Sequence, residues 1–134
     1  MTGKYLLDSH VFLWHLTQLD RIAPRVEALL ESNSSDIYLS LATIWELAIK
    51  AGSGRLPLPR PTTKFLLDQA AARDIAILPI APAHIAIAER LPFHHRDPFD
   101  RMLIAQSIAE GLTLVTADVA FEAYPVTILR ADKS

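Results

Sequence analysis

HRDPFDRMLIAQSIAEGLTLVTAD, residues 95–118, carries one full passage from helix to strand. Asp97-Pro98-Phe99-Asp100 reads as a helix start, with an acid at the cap, proline at the first helical position and a second acid at the third. The helix is expected to run to Glu110 and to stop at Gly111. LTLVT (112–116) reads as a strand, and Asp118 follows its end after one alanine.

Outward from this stretch the same alternation recurs. KYLLD (4–8) is a short apolar strand that ends on an acid. Residues 10–16 and 24–32 read as helices, the second with Pro24 in its first turn and Val26, Leu29 and Leu30 on one face. IYLS (37–40) is a strand; ATIWELAIK (42–50) is a helix that Gly52-Ser53-Gly54 stops. LPLPRP (56–61) must be extended, because proline fixes φ and restricts the residue before it. Thr62 and Thr63 open a helix through Ala72, IAILP (75–79) reads as a buried strand, and 82–91 is helical. A short turn or helix at 119–123 and a strand at 126–129 complete the chain. Apolar strands alternating with helices imply a single α/β/α domain over 1–134, with a central, mainly parallel sheet flanked by helices and the proline-rich loop inside it.

Composition excludes several functional classes. The 134 residues suffice for one core without staples, and the absence of cysteine removes disulfides, thiolate zinc sites and cysteine nucleophiles, in keeping with a reducing cytoplasm. The longest uncharged stretch, 75–88, is interrupted by Pro79 and Pro82 and falls short of the roughly 20 apolar residues of a membrane span. The polar start of the chain leads straight into a strand-like run and does not read as a signal peptide. Four glycines cannot assemble a GxGxxG or Walker phosphate loop. A net charge of −2 speaks against gripping nucleic acid by bulk positive charge.

In a parallel α/β sheet, ligands bind outside the carboxyl ends of the strands. Asp8 and Asp118 follow strands there, Glu46 lies about a turn into the helix after the strand at 37–40, and Asp97 and Asp100 share one helix face. Each acid also has a plain structural reading. Asp8 reads equally as a surface acid or a helix cap. Glu46 would be a solvated helix residue, except that the apolar TIWELAI around it makes solvation awkward. Asp97 fits best as a helix cap, and Asp118 fits an Asx turn. As a set they repel one another by roughly 4 kcal/mol per pair at 4 Å and an effective dielectric of 20. Hard divalent cations, Mg²⁺ or Mn²⁺, are the natural counter-charge, and such an ion promotes hydrolysis of a phosphodiester.

Four segments carry a family resemblance. LLDSHVFLW (6–14), SLATIWELAIKAGSGRL (40–56), HRDPFDRMLIAQS (95–107) and LVTADVAF (114–121) resemble, in order and spacing, the motifs of the PIN-domain nucleases, and within them the VapC-type toxins of bacterial toxin–antitoxin pairs. The resemblance implies a metal-dependent ribonuclease in which Asp8, Glu46, Asp100 and Asp118 hold one or two Mg²⁺ or Mn²⁺ ions and are the catalytic acids. Asp97 would support them as cap, outer-sphere ligand or both. Ser9 and Thr116 would be the hydroxyls that orient Asp8 and Asp118. It also implies an RNA substrate, a homodimer, and a VapB-like antitoxin that blocks the acidic site with an extended segment and itself binds operator DNA, so that DNA is reached only indirectly. Two other readings are an idle acidic pocket that captures a basic peptide or RNA, and a DNA-directed PIN nuclease.

The remaining residues add less. His94 and His95 are adjacent, and His10, His15 and His84 share no metal-binding spacing, so zinc is disfavoured. His10 occupies the place where a DxD phosphatase needs its second carboxylate. His94, His95 and Arg96 read as a solvated loop, with phosphate contact at the rim of the site as the functional alternative. Arg55, Arg60 and Lys64 flank the proline-rich loop, where they are either solvated or meet RNA or the antitoxin. Trp14 and Trp45 are expected in core or dimer packing rather than base stacking, and the helix around Phe12, Leu13 and Leu16 is either core or a partner surface. Set the five acids aside, and ten remain against 13 Lys and Arg, a balance of +3 for the rest of the chain. The overall −2 therefore does not argue against cutting RNA.

Overall fold

The structure, a computed structural model, describes residues 3–32, 35–95 and 97–133. Five strands form one sheet in the order β3-β2-β1-β4-β5: β1 (Lys4–Leu7), β2 (Asp36–Ser40), β3 (Ala76–Leu78), β4 (Thr113–Thr116) and β5 (Ile128–Arg130). Every pairing is parallel. The connections are α1 (Ser9–Thr17) and α2 (Pro24–Glu31), then α3 (Leu41–Gly52) and α4 (Thr62–Ala72), then α5 (Pro82–Arg90) and α6 (Pro98–Glu110). The expected α/β/α domain is the observed one.

Successive strand residues point to opposite faces, and the two halves of the core follow that alternation. Leu7, Leu39 and Val115 pack with Phe12, Val26, Leu47 and Leu66 on one face. Leu6 and Leu114 pack with Leu103, Ile104 and Phe121 on the other. Because β1 lies between β2 and β4, the order of winding reverses beside it, and the carboxyl ends of β1 and β4 open at that switch point.

Local chemistry sets the element ends. Asp8 caps α1, Ser40 Oγ caps α3 by accepting the Ala42 N–H, and Asp97 caps α6 ahead of Pro98. Gly111 ends α6 at φ 66°, a left-handed conformation that suits glycine. The strand expected to be buried at 75–79 is instead a sheet edge: Ala76 is exposed and Ile77 and Leu78 are half-buried, because β3 pairs only with β2. The last strand starts two residues later than expected, with Leu114 N–H bonded to Thr127 O ahead of it.

The helix expected to be core or partner surface divides between the two. Phe12 is fully buried, whereas Leu13, Trp14 and Leu16 wall a groove of about 570 Å³ against Leu58 and Phe65. Trp14 also stacks under the Arg21 guanidinium at 4.4 Å. Among the described residues, no helix is long and apolar enough to cross a membrane.

Candidate active site

Asp8 sits where β1 becomes α1, and only 3% of its surface is exposed. Its Oδ1 accepts the Ser9 N–H at 2.7 Å and its Oδ2 accepts the Thr116 hydroxyl at 2.8 Å. Thr116 ends β4, the neighbour of β1, so sheet pairing brings the two side chains together. The same Thr116 oxygen accepts the backbone N–H of Asp118 at 3.0 Å.

Glu46 lies on the buried face of α3 with Thr43 and Leu47, in keeping with its apolar sequence context. Ser9 Oγ donates to its Oε1 at 2.6 Å and Lys50 Nζ to its Oε2 at 2.9 Å. Ser9 was expected to orient Asp8 through its hydroxyl and Thr116 to orient Asp118. The structure corrects both pairings: the hydroxyl of Ser9 serves Glu46, that of Thr116 serves Asp8, and Thr116 meets Asp118 only at its backbone N–H. The reason is direction. At the first position of α1, the Ser9 amide faces back to its own cap and leaves its side chain free to reach α3.

Asp97 does what its sequence context foretold as a cap. Its Oδ1 accepts the Phe99 N–H at 2.8 Å and the Asp100 N–H at 3.2 Å. Asp118 likewise makes the Asx turn, its Oδ1 accepting the Ala120 N–H at 2.9 Å, and its side chain is 44% exposed.

Asp100 is where the acids converge. Burial pushes its carboxyl upward most, the charges of Asp8, Asp97, Glu46 and Asp118 push further, and the result is about 8. The other four acids singled out by sequence therefore all lie within electrostatic reach of Asp100. Burial also raises Asp8, against the opposing pull of the Thr116 hydroxyl, His10 and the Ser9 amide, with Glu46 adding to the rise.

Two neighbours carry more than their sequence context indicated. Lys50 compensates Glu46, an i,i+4 pairing on α3 that was there to be read. His95 brings Nε2 to 3.0 Å from Asp100 Oδ2 and 3.6 Å from Asp118 Oδ2. Ligand atoms of these three residues lie within 4.8 Å of one another. Spacing between histidines could not reveal this, because the partners of His95 are aspartates. His94 is exposed and packs edge-on to Tyr124, and Arg96 lies outside the described residues. Of the core or dimer packing expected for Trp45, the structure rules out the core: it is 60% exposed and meets Phe99 edge-to-face at 5.2 Å, joining α3 to α6 one residue before Glu46 and Asp100.

Among the described residues, no lysine or arginine contacts Asp8, Asp97, Asp100 or Asp118. Hard oxygen donors gathered with so little positive charge fit a divalent cation of the Mg²⁺ or Mn²⁺ type. Asp8, Asp100, Asp118 and Glu46 are the groups that could hold it. The arrangement thus offers a charge-compensable acidic cluster at the switch point of a parallel sheet.

The sequence profile of the PIN domain matches residues 5–126. Ribonuclease VapC22 of Mycobacterium tuberculosis is 30% identical over 128 residues, which cover 92% of this chain and 96% of that protein. Among solved structures, VapBC2 from Rickettsia felis, bound to a DNA fragment from its promoter, superposes with a TM-score of 0.72 at 19% identity, covering 96% of this chain and 99% of the other. FitAcB from Neisseria gonorrhoeae does so with a TM-score of 0.59 at 26% identity, covering 94% and 96%. The profile spans the sheet from β1 through β4 together with all five acids, and on that ground the chain belongs to the PIN domain family.

Proposed function

We propose that the protein is a divalent-metal-dependent endoribonuclease, a VapC-like toxin restrained by a VapB-like antitoxin. The observation that carries the reading is the raised Asp100 carboxyl amid Asp8, Glu46, Asp97 and Asp118, a degree of crowding that calls for a cation. The similarity to Ribonuclease VapC22 supports RNA as the substrate, and the VapBC complexes among the structural neighbours support an antitoxin partner. A homodimer acting in the cytoplasm completes the proposal.

In this reading Asp8, Glu46, Asp100 and Asp118 hold one or two Mg²⁺ or Mn²⁺ ions. When bound, the ion supplies counter-charge to the phosphodiester and activates water for hydrolysis. The chain's own part is to keep the donors in place. Thr116 and the Ser9 amide hold both oxygens of Asp8, and Ser9 Oγ and Lys50 hold those of Glu46. Asp97 fixes the first turn of α6, from which Asp100 projects. Partner-free protein incubated with RNA, and in parallel with DNA, is expected to cut RNA in Mg²⁺ or Mn²⁺ and to stop when EDTA is added. RNA or peptide binding without cleavage would mark an idle pocket instead, and preferential cutting of DNA would change the substrate class.

A further inference from the structure

His95 is fixed more firmly than a solvated loop residue needs to be. Its backbone N–H donates to Tyr124 Oη at 2.7 Å, and Arg101 Nη1 donates to its carbonyl at 3.3 Å. Arg101 is itself buried and also binds the carbonyls of Ala88, Leu91 and Pro92, while the Tyr124 hydroxyl donates to Pro92 O at 2.7 Å. The imidazole rests on Phe121, with centroids 5.5 Å apart. Two residues on different elements thus hold the loop that aims this ring at Asp100 and Asp118.

The other ring nitrogen decides what the ring does there. The backbone N–H of Asp97 donates to Nδ1 at 3.3 Å, so Nδ1 presents a lone pair. A neutral imidazole that accepts at Nδ1 carries its proton on Nε2, the atom facing the two carboxylates. A histidine bound to a metal through Nε2 has the opposite arrangement, with Nδ1–H donating to an acceptor. Here Nδ1 faces a donor.

We infer that His95 is a positioning residue whose Nε2 edge, 3.0 Å from Asp100 Oδ2 and 3.6 Å from Asp118 Oδ2, keeps the two carboxylates within reach of one cation, without itself becoming a ligand. The inference rests on the metal-binding reading of the acids and deepens it. It separates His95 from the aspartates with which its ligand atoms cluster, and it gives Asp97 a second role beside helix capping, that of setting the histidine tautomer through its backbone N–H.

Nitrogen-15 NMR of the metal-free protein reads the tautomer directly. A protonated Nε2 and a bare Nδ1 on His95 are expected, and the reverse pattern would overturn the inference. Binding of Mn²⁺ to wild type, His95→Ala and His95→Gln then tests the positioning role. The alanine variant should bind about 10- to 100-fold more weakly, the range seen when a supporting partner of a metal ligand is lost. Glutamine, which keeps an N–H donor at nearly the same reach, should restore most of the affinity. Unchanged affinity in the alanine variant, or nitrogen hyperfine coupling from His95 in the spectrum of bound Mn²⁺, would refute it. Wild-type protein that takes up no Mn²⁺ would count against the nuclease reading instead, and the tautomer measurement, which needs no metal, would still decide the assignment of the ring.

Discussion

Thr116 Oγ1 donates a 2.8 Å hydrogen bond to Asp8 Oδ2, joining residues 108 positions apart in the chain. The pair ties the carboxyl end of β4 to that of β1, and the same hydroxyl oxygen receives the Asp118 amide. One hydroxyl thereby organises two of the acids. Thr116→Val keeps the shape and removes the bond, leaving a buried carboxylate oxygen unpartnered. A stability loss of about 1–3 kcal/mol is expected in denaturant titrations, together with weaker RNA cleavage. Thr116→Ser should recover both, and a valine variant with wild-type cleavage would show that Asp8 needs no such support.

The raised Asp100 carboxyl makes the metal-free protein sensitive to pH in a definite direction. The folded state holds the Asp100 proton up to about pH 8, whereas the unfolded chain releases it near 3.8. The stabilisation tied to that proton is thus full below about pH 3.8 and is lost as pH rises through about 8. The slope from this group is at most about 1.4 kcal/mol per pH unit. Asp8 is shifted in the same direction. In EDTA, wild type minus Asp100→Asn should show stability falling between pH 5 and 8, and Mg²⁺ or Mn²⁺ should abolish that fall. The asparagine variant should fold at least as stably as wild type at pH 8 yet lose RNA cleavage, as should Asp8→Asn. Full cleavage by Asp100→Asn across a Mg²⁺ titration would sink the site assignment.

Lys50 lies 2.9 Å from Glu46 and is the positive charge paired with that buried carboxylate. Lys50→Met therefore has two opposed consequences. Metal-free stability should drop by about 1–3 kcal/mol, since a buried carboxylate loses its charged partner. Affinity for Mn²⁺ should rise about fivefold, because a competing cation worth about 1 kcal/mol has gone. Calorimetric titration alongside thermal unfolding reads both signs, and weaker Mn²⁺ binding would contradict the electrostatic account.

Arg101 binds four backbone carbonyls from the end of α5 and the loop after it, and its guanidinium lies 4.3 Å from the Phe93 ring. Lysine cannot reproduce that planar fork. Arg101→Lys is expected to cost about 3 kcal/mol or more, with several buried carbonyls left unsatisfied. Amide exchange should speed up across residues 91–95 before it does in the sheet. Uniform loss of protection would place Arg101 in the general core rather than in the loop that carries His95.

Much of the molecule was legible along the chain. Alternation of apolar runs and capped helices identifies the α/β/α class, since caps and periodicity are local. The positions of Asp8, Asp97, Asp100 and Asp118 at strand ends and helix starts, and of Glu46 inside a helix, follow from the same local signals. Asp97 as a cap and Asp118 as an Asx turn needed nothing beyond their immediate neighbours. The hydroxyl pairings were misread because a side chain at a helix start chooses its partner across space, so Ser9 turns to Glu46 and Thr116 to Asp8. The edge position of β3 depends on strand order, which apolar content does not encode. Core or dimer packing were both open for Trp45 because its helix is apolar on both sides of it, and only the packing of α3 against α6 decides that it stays outside the core.

By itself, the sequence determined which residues are ionisable, the order of helices and strands, and which acids end up at the carboxyl side of the sheet. These depend on backbone propensities and capping within a few residues. The tertiary structure alone decided that four other acids act on Asp100, that burial and their charges push its carboxyl up to about 8, and that His95 faces Asp100 and Asp118. The physical reason is that electrostatic coupling and desolvation depend on distance and burial. The parallel crossovers around β1 set both, for residues that the chain itself keeps far apart.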